Sequence, residues 1–157
     1  NMMFSASTVN NDSFIKSLIR LPSQKTMEKN IKEKSFEIMK DLNIDHMANS
    51  YARELSGGQK KLLELGRSII NDPSILLLDE PLAGVNPKLA EEILQIILNL
   101  SEKGISILMV EHNIEAVMKI SQRVIVLAEG MVIADDTPEN VRTDEKVIEA
   151  YLGSDNE

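Results

Sequence analysis

The 157-residue chain contains no cysteine and no tryptophan, and aromatic residues make up only 3% of it. Without cysteine, a disulfide scaffold and a thiolate metal site are both excluded, and the composition suits a reducing compartment. Long apolar runs are missing too: none approaches the roughly 20 residues that a helix needs to cross a bilayer. The first residues lack a basic segment leading into an apolar one, and Asn11 and Asp12 interrupt them early, so they do not read as a secretory signal. Positive charge is scarce. Lys and Arg number 17 against 25 Asp and Glu, a formal net charge of −8. That balance argues against a nucleic-acid binder, which normally carries a basic face. Much of the acidic excess falls in 135–157, where eight acids face only Arg142 and Lys146. An excess of one sign mainly favours solubility, so this stretch reads as solvated surface.

What is present is an ordinary globular composition, 43% hydrophobic and 27% charged. The length suits one domain with a real core. The first residue is Asn1 rather than Met.

The apolar pattern alternates between two periods. Phe14, Leu18 and Leu21 line one face of a possible helix that Pro22 would end. Met27, Ile31, Ile38, Met39 and Leu42 share a helix face, with Thr26 placed to cap the start and Asn43 to end it. Gly57 and Gly58 precede a second helical pattern through Leu62, Leu63, Leu65, Ile69 and Ile70, which Asn71-Asp72-Pro73 breaks. Ile75–Leu78 is short and wholly apolar, which predicts a strand covered on both faces. Asn86-Pro87 reads as an N-cap and first helical residue, and Gly104 marks that helix's end. Ile105–Val110 predicts a second buried strand, and Ile114–Ile120 another helix. Val124–Ala128 and Met131–Ala134 flank Glu129-Gly130 as a β-hairpin. Thr137-Pro138 opens a short helix, and the last helix runs from about Asp144 to Leu152. Such alternation implies an α/β fold, a parallel sheet with flanking helices. Ligands of such sheets sit beyond the C-terminal strand ends, which directs attention to Asp79-Glu80 and Glu111-His112.

Three segments carry chemistry. Leu55-Ser56-Gly57-Gly58-Gln59 opens a helix; its free N–H groups and small residues suit a phosphate, although a plain N-cap has the same look. Ile75–Glu80 is an apolar strand ending in two acids. Asp79 is a hard oxygen donor of the kind Mg²⁺ takes, and Glu80 could orient or deprotonate water; solvated acids are the alternative. His112 stands at the next strand end, whereas His46 lies in a polar loop and reads as structural or exposed.

In combination these elements are specific. Ser-Gly-Gly-Gln opening a helix, then Ile-Leu-Leu-Leu-Asp-Glu-Pro, then Asn-Pro opening a helix, then a strand ending in Glu-His, resembles the ATP-binding subunits of ABC transporters. The strong similarity spans about Glu54 to Leu127 and continues more weakly to Gly153. The resemblance implies a P-loop NTPase-type parallel sheet with a helical region that carries the signature motif, LSGGQ. It divides the chain into a helical subdomain over about 1–72, a catalytic-core part over about 73–135 and C-terminal helices over about 136–157. It implies that Ser56, Gly57, Gly58 and Gln59 contact the γ-phosphate of ATP bound to the opposite subunit. Asp79 would hold Mg²⁺, Glu80 would act on the attacking water as general base, and His112 would touch the γ-phosphate. Asn86 falls in the D-loop, beside the nucleotide, where many members carry Asp; its amide suits a helix cap. The general chemistry is phosphoryl transfer to water.

The family's phosphate-cradling motif, G-x-x-x-x-G-K-[ST], occurs nowhere in the 157 residues, and neither the Q-loop nor the adenine-stacking aromatic has a match. Together with Asn1, this leads us to expect the C-terminal portion of a longer subunit, inactive by itself, with an apolar sheet edge and helix faces left uncovered. The segments Gly84–Pro87, Val110–Asn113 and Val147–Gly153 are similar to the branched-chain amino-acid importer ATPases, with the lipopolysaccharide-export ATPase as the alternative. A non-transport ABC ATPase acting on DNA or ribosomes is a further alternative; neither sustained heptads nor a basic linker speaks for it. The resemblance implies a head-to-tail pair of ATPase subunits, transmembrane permease partners, no nucleic acid, and a peripheral place on the cytoplasmic face of the cell membrane.

Overall fold

A computed structural model describes the backbone of residues 1–7 and 22–153 and the side chains of residues 1–6 and 26–150. The helix face of Phe14, Leu18 and Leu21 lies outside the described residues. The chain forms two compact units, Asn1–Val110 and Glu111–Glu157.

The first unit begins with α1 (Met2–Ser7) and α2 (Pro22–Asp41). The helix expected from Thr26 therefore starts four residues earlier, at Pro22. Proline suits a first helical turn, because its missing N–H would have had no partner there and its φ is already helical. The helix ends before Asn43, whose φ of 55° is a left-handed value that Asn tolerates. Two short 3₁₀ turns, Asp45–Met47 and Ala52–Glu54, lead to α3 (Gly57–Ile69). Leu62, Leu65 and Gly66 form its buried face. A methyl group on Gly66 would lie 2.8 Å from Leu42 Cδ1 and 3.0 Å from Met2 Cε, so α1, α2 and α3 close on one another at that glycine. Leu42, Ile44 and Ile70 are the most deeply buried large side chains of this unit.

Strand β1 (Ile75–Asp79) follows, then α4 (Pro87–Glu102) and β2 (Ser106–Val110). The strands pair in parallel, with Ile75 opposite Ser106 and Asp79 opposite Val110, so both end at one edge. Helix α4 makes the crossover and lies against β2. Alternation then divides the residues between two faces. Leu76 is buried, and Leu78, Ile107 and Met109 beside it are partly covered. The opposite face is bare: Ile75, Leu77, Leu108 and Val110 are 57–70% exposed. The expectation that both strands are covered on both faces is thus corrected. The flanking helices cover one face only, and the wholly apolar runs supply apolar residues to the other as well. Burying one such side chain stabilises by roughly 1.5–3 kcal/mol, so this face favours association.

The second unit holds α5 (Ile114–Ile120), the antiparallel hairpin β3 (Val124–Ala128) and β4 (Met131–Asp136), α6 (Pro138–Thr143) and α7 (Glu145–Gly153). Glu129 and Gly130, with φ of 49° and 77°, make the hairpin turn, as the Glu-Gly spacing predicts. The register shifts between Val126 and Leu127. Arg123 grips Asp135 across the pair with two hydrogen bonds of 2.7 Å. Helices α6 and α7 both lie against β4. No helix among the described residues is long and apolar enough to cross a membrane.

Candidate active site

The Ser-Gly-Gly-Gln segment forms the start of α3. Ser56 Oγ accepts the Gln59 N–H at 3.2 Å, and Gln59 Oε1 accepts the Ser56 N–H at 2.9 Å. This reciprocal capping box fixes the two polar side chains against each other and sets the helix's entry angle. Between them, Gly57 and Gly58 occupy the first helical positions, whose N–H groups have no carbonyl four residues back to bond. The two glycines differ in their surroundings. A Cβ on Gly58 would lie 2.2 Å from Leu89 Cδ2, so the first turns of α3 and α4 meet here and a side chain at 58 would have to push the Leu89 methyl aside. Nothing lies within 4 Å of the corresponding point on Gly57, which faces open space.

The turn after β1 is held through its backbone. Asp79 is the exposed last residue of the strand. Glu80 has a φ of 42°, a left-handed conformation that costs a side-chain-bearing residue roughly 1–2 kcal/mol. Three hydrogen bonds hold it there. Its N–H donates to the Val110 carbonyl at 2.9 Å, extending the parallel ladder by one peptide. Its carbonyl accepts the Ala83 N–H at 3.1 Å and the Lys61 ammonium at 3.0 Å. Further on, Leu82 is buried and anchors the turn. Asn86 Oδ1 then accepts the Leu89 N–H at 3.0 Å, and Pro87 opens α4. The first unit therefore gathers the start of α3, the Glu80 turn and the start of α4 about two contacts, Gly58 with Leu89 and Lys61 with Glu80. A cleft of about 200 Å³ lies further along α3, where Lys61, Glu64 and Ser68 face Asp79, Pro81 and Ile93.

His112 belongs to the second unit. Its side chain is 73% exposed, whereas that of Glu111 is only 1% exposed. The Glu111 carboxylate accepts the N–H groups of His112 at 3.2 Å and Asn113 at 3.4 Å, and Asn113 caps α5 by accepting the Ala116 N–H at 3.1 Å. His46 is exposed. Sequence reasoning marks Glu111 as a strand-end acid but not its hold on the next two N–H groups, and it misses Lys61, whose contact spans 19 residues. Among the described residues, no group of three or more His, Asp or Glu gathers to hold a metal.

A helix opened by Ser-Gly-Gly-Gln, packed beside a parallel strand that ends in Asp-Glu, defines a class that the comparisons make plain. The family model described as ABC transporter matches residues 2–83, and the chain belongs to that family. A second model, branched-chain amino acid ATP-binding cassette transporter, matches residues 131–157. The chain is 43% identical over 127 residues to the probable branched-chain amino acid transport ATP-binding protein LivG of Archaeoglobus fulgidus, an alignment covering 81% of this chain and 49% of that one. It is 36% identical over 122 residues to the lipopolysaccharide export system ATP-binding protein LptB of Haemophilus influenzae, covering 78% of this chain and 51% of that one. Among solved structures, the ADP conformation of an ATP-binding cassette of an ABC transporter superposes with a TM-score of 0.75 at 34% identity, covering 97% of this chain and 61% of that one. The chain spans about half the length of these curated relatives. The α/β fold with a parallel sheet and flanking helices is that of the ABC cassettes.

Proposed function

We propose that the protein bearing this chain hydrolyses ATP to drive membrane transport of branched-chain amino acids. The observation that carries the hydrolytic reading is the Glu80 turn: a carboxylate-bearing residue held in left-handed backbone at the end of a parallel strand. In this reading Glu80 is the general base that takes a proton from the attacking water. His112, exposed beyond the next strand, touches the γ-phosphate. Ser56, Gly57, Gly58 and Gln59 meet the γ-phosphate of ATP held by the opposite subunit of a head-to-tail pair, and the open space at Gly57 suits such an approach. Asn86 acts as a helix cap beside them. The loop that cradles the β-phosphate comes from outside these 157 residues, and the 157 residues alone are inactive.

Asp79 fits Mg²⁺. It is an exposed hard oxygen donor standing without a cluster of further ligands, and this metal ordinarily takes one or two carboxylates and completes its shell with water and phosphate oxygens. When bound, the ion would neutralise phosphate charge. The branched-chain assignment is supported by the match of residues 131–157 and by the similarity to LivG. The similarity to LptB favours lipopolysaccharide export as the second reading. In either reading the protein works on the cytoplasmic membrane face with permease subunits, and the permease that co-purifies separates the two.

In the full-length protein, Glu80→Gln should preserve ATP binding and lower turnover by about 10²–10⁴-fold, the usual contribution of a positioned base. Hydrolysis at the wild-type rate would overturn the assignment.

A further inference from the structure

We infer that Lys61 is a positioning residue for Glu80. The inference rests on the reading of Glu80 as the base, but its physical part stands on geometry. Lys61 lies on the second turn of α3, two residues beyond Gln59. Its ammonium reaches across 19 residues of sequence to the Glu80 carbonyl at 3.0 Å. That carbonyl belongs to the one residue of the β1–α4 turn that bears a side chain and a positive φ, so its peptide needs outside support to keep its orientation. The other two bonds, from Glu80 N–H to Val110 and from Ala83 N–H to Glu80, arise within the sheet and the turn. The Lys61 bond comes from the helix that the Ser-Gly-Gly-Gln segment opens.

The consequence is mechanical. A charged donor on α3 is joined to the peptide that aims the Glu80 carboxylate. A displacement at the start of α3, where the opposite subunit's ATP would press, reaches Glu80 through a side chain rather than through a change of fold. Lysine suits this role because a charge-assisted hydrogen bond to a carbonyl is stronger than a neutral one. Leucine or methionine at 61 would preserve the helix and remove the link.

The test uses Lys61→Met, Lys61→Arg and Glu80→Gln in the full-length protein. Lys61→Met should lower kcat about tenfold with KM for ATP unchanged, since small misplacement of a reacting group has effects of that order or more. Lys61→Arg should restore most of the rate. Amide hydrogen exchange supplies a readout that does not depend on catalysis: the Glu80 and Ala83 amides should exchange faster in Lys61→Met and near the wild-type rate in Lys61→Arg. Unchanged kcat in Lys61→Met beside an inactive Glu80→Gln would overturn the inference and leave the base intact. Unchanged protection of the two amides would overturn it whatever Glu80 does. Wild-type turnover in Glu80→Gln would instead overturn the base, with the exchange data still deciding whether Lys61 holds the turn.

Discussion

The junctions that follow β1 and β2 have the same outline and use their acids in opposite ways. Each strand leads into an acid-containing pair and then into a helix capped by asparagine, Asn86 in one case and Asn113 in the other. After β1 the backbone is strained so that Glu80 is turned out of the strand's alternation, and three hydrogen bonds to the main chain keep it there. After β2 the acid itself provides the support. Glu111 is folded back, 1% exposed, onto the N–H groups of the next two residues, and the side chain left outside is that of His112. One junction strains its backbone to present a carboxylate; the other uses a carboxylate to present an imidazole. A strand-end acid is therefore a functional candidate only once its own hydrogen bonds have been traced.

Substitutions of opposite sign give the sharpest test of this contrast. Glu111→Ala should destabilise by about 1–2 kcal/mol, because the N–H groups of His112 and Asn113, just ahead of α5, lose a charged acceptor. Glu80→Gly should stabilise by about 0.5–1 kcal/mol. It relieves a left-handed conformation worth roughly 1–2 kcal/mol, less the extra backbone entropy that glycine loses on folding. Urea unfolding of the two variants measures both. A destabilised Glu80→Gly would mean that the Glu80 side chain contributes more to stability than its backbone strain removes, and the contrast would collapse.

The helices, the strands and the hairpin were legible in the sequence because each is bounded by a local signal. Asn86-Pro87, Thr137-Pro138 and Glu129-Gly130 each act within three or four residues of themselves. Ser56 and Gln59 were legible as a helix start for the same reason. Coverage of the strands was not. Ile75–Leu78 is apolar throughout, and such a run says that both faces are fit for burial, not that both are buried; Leu77 is 70% exposed. The start of α2 was misplaced because Pro22 served equally well as the end of one helix and the beginning of another. Gly58 and Gly57 looked identical in the sequence, and only the approach of Leu89 separates them. The link from Lys61 to Glu80 left no sequence trace, since a lysine on an amphipathic helix is expected to face solvent.

The two caps offer a smaller test. Asn86→Ala and Asn113→Ala each remove one side-chain acceptor from a first-turn N–H, at 3.0 Å and 3.1 Å. Each should cost about 1 kcal/mol in thermal or denaturant unfolding. The sharper comparison lies in turnover of the full-length protein, which Asn86→Ala should leave close to wild type if the amide serves as a cap alone. A tenfold loss of kcat at unchanged stability would assign Asn86 a contact with nucleotide and make the first junction functional at both of its ends.

The smallest effect belongs to a third acid, one that is neither strained nor buried. Asp135 takes two hydrogen bonds from the Arg123 guanidinium on the surface of the hairpin. Those bonds, with the arginine's charge, hold its carboxyl below the ordinary carboxylate range. A folded-state pKa below the unfolded one contributes stability at higher pH, and that contribution disappears as pH falls through the folded value. Wild type should therefore melt slightly above Asp135→Asn near neutral pH, with the gap closing only below the ordinary carboxylate pKa of 3.8. Added salt should narrow the gap as well, because both partners are exposed to solvent. Thermal melts of the two proteins from about pH 7 to about pH 2 measure it. A gap as wide as that of Glu111→Ala, or one that persists in acid, would show that exposure does not separate these acids. The difference between the two junctions would then need another cause than the burial of Glu111.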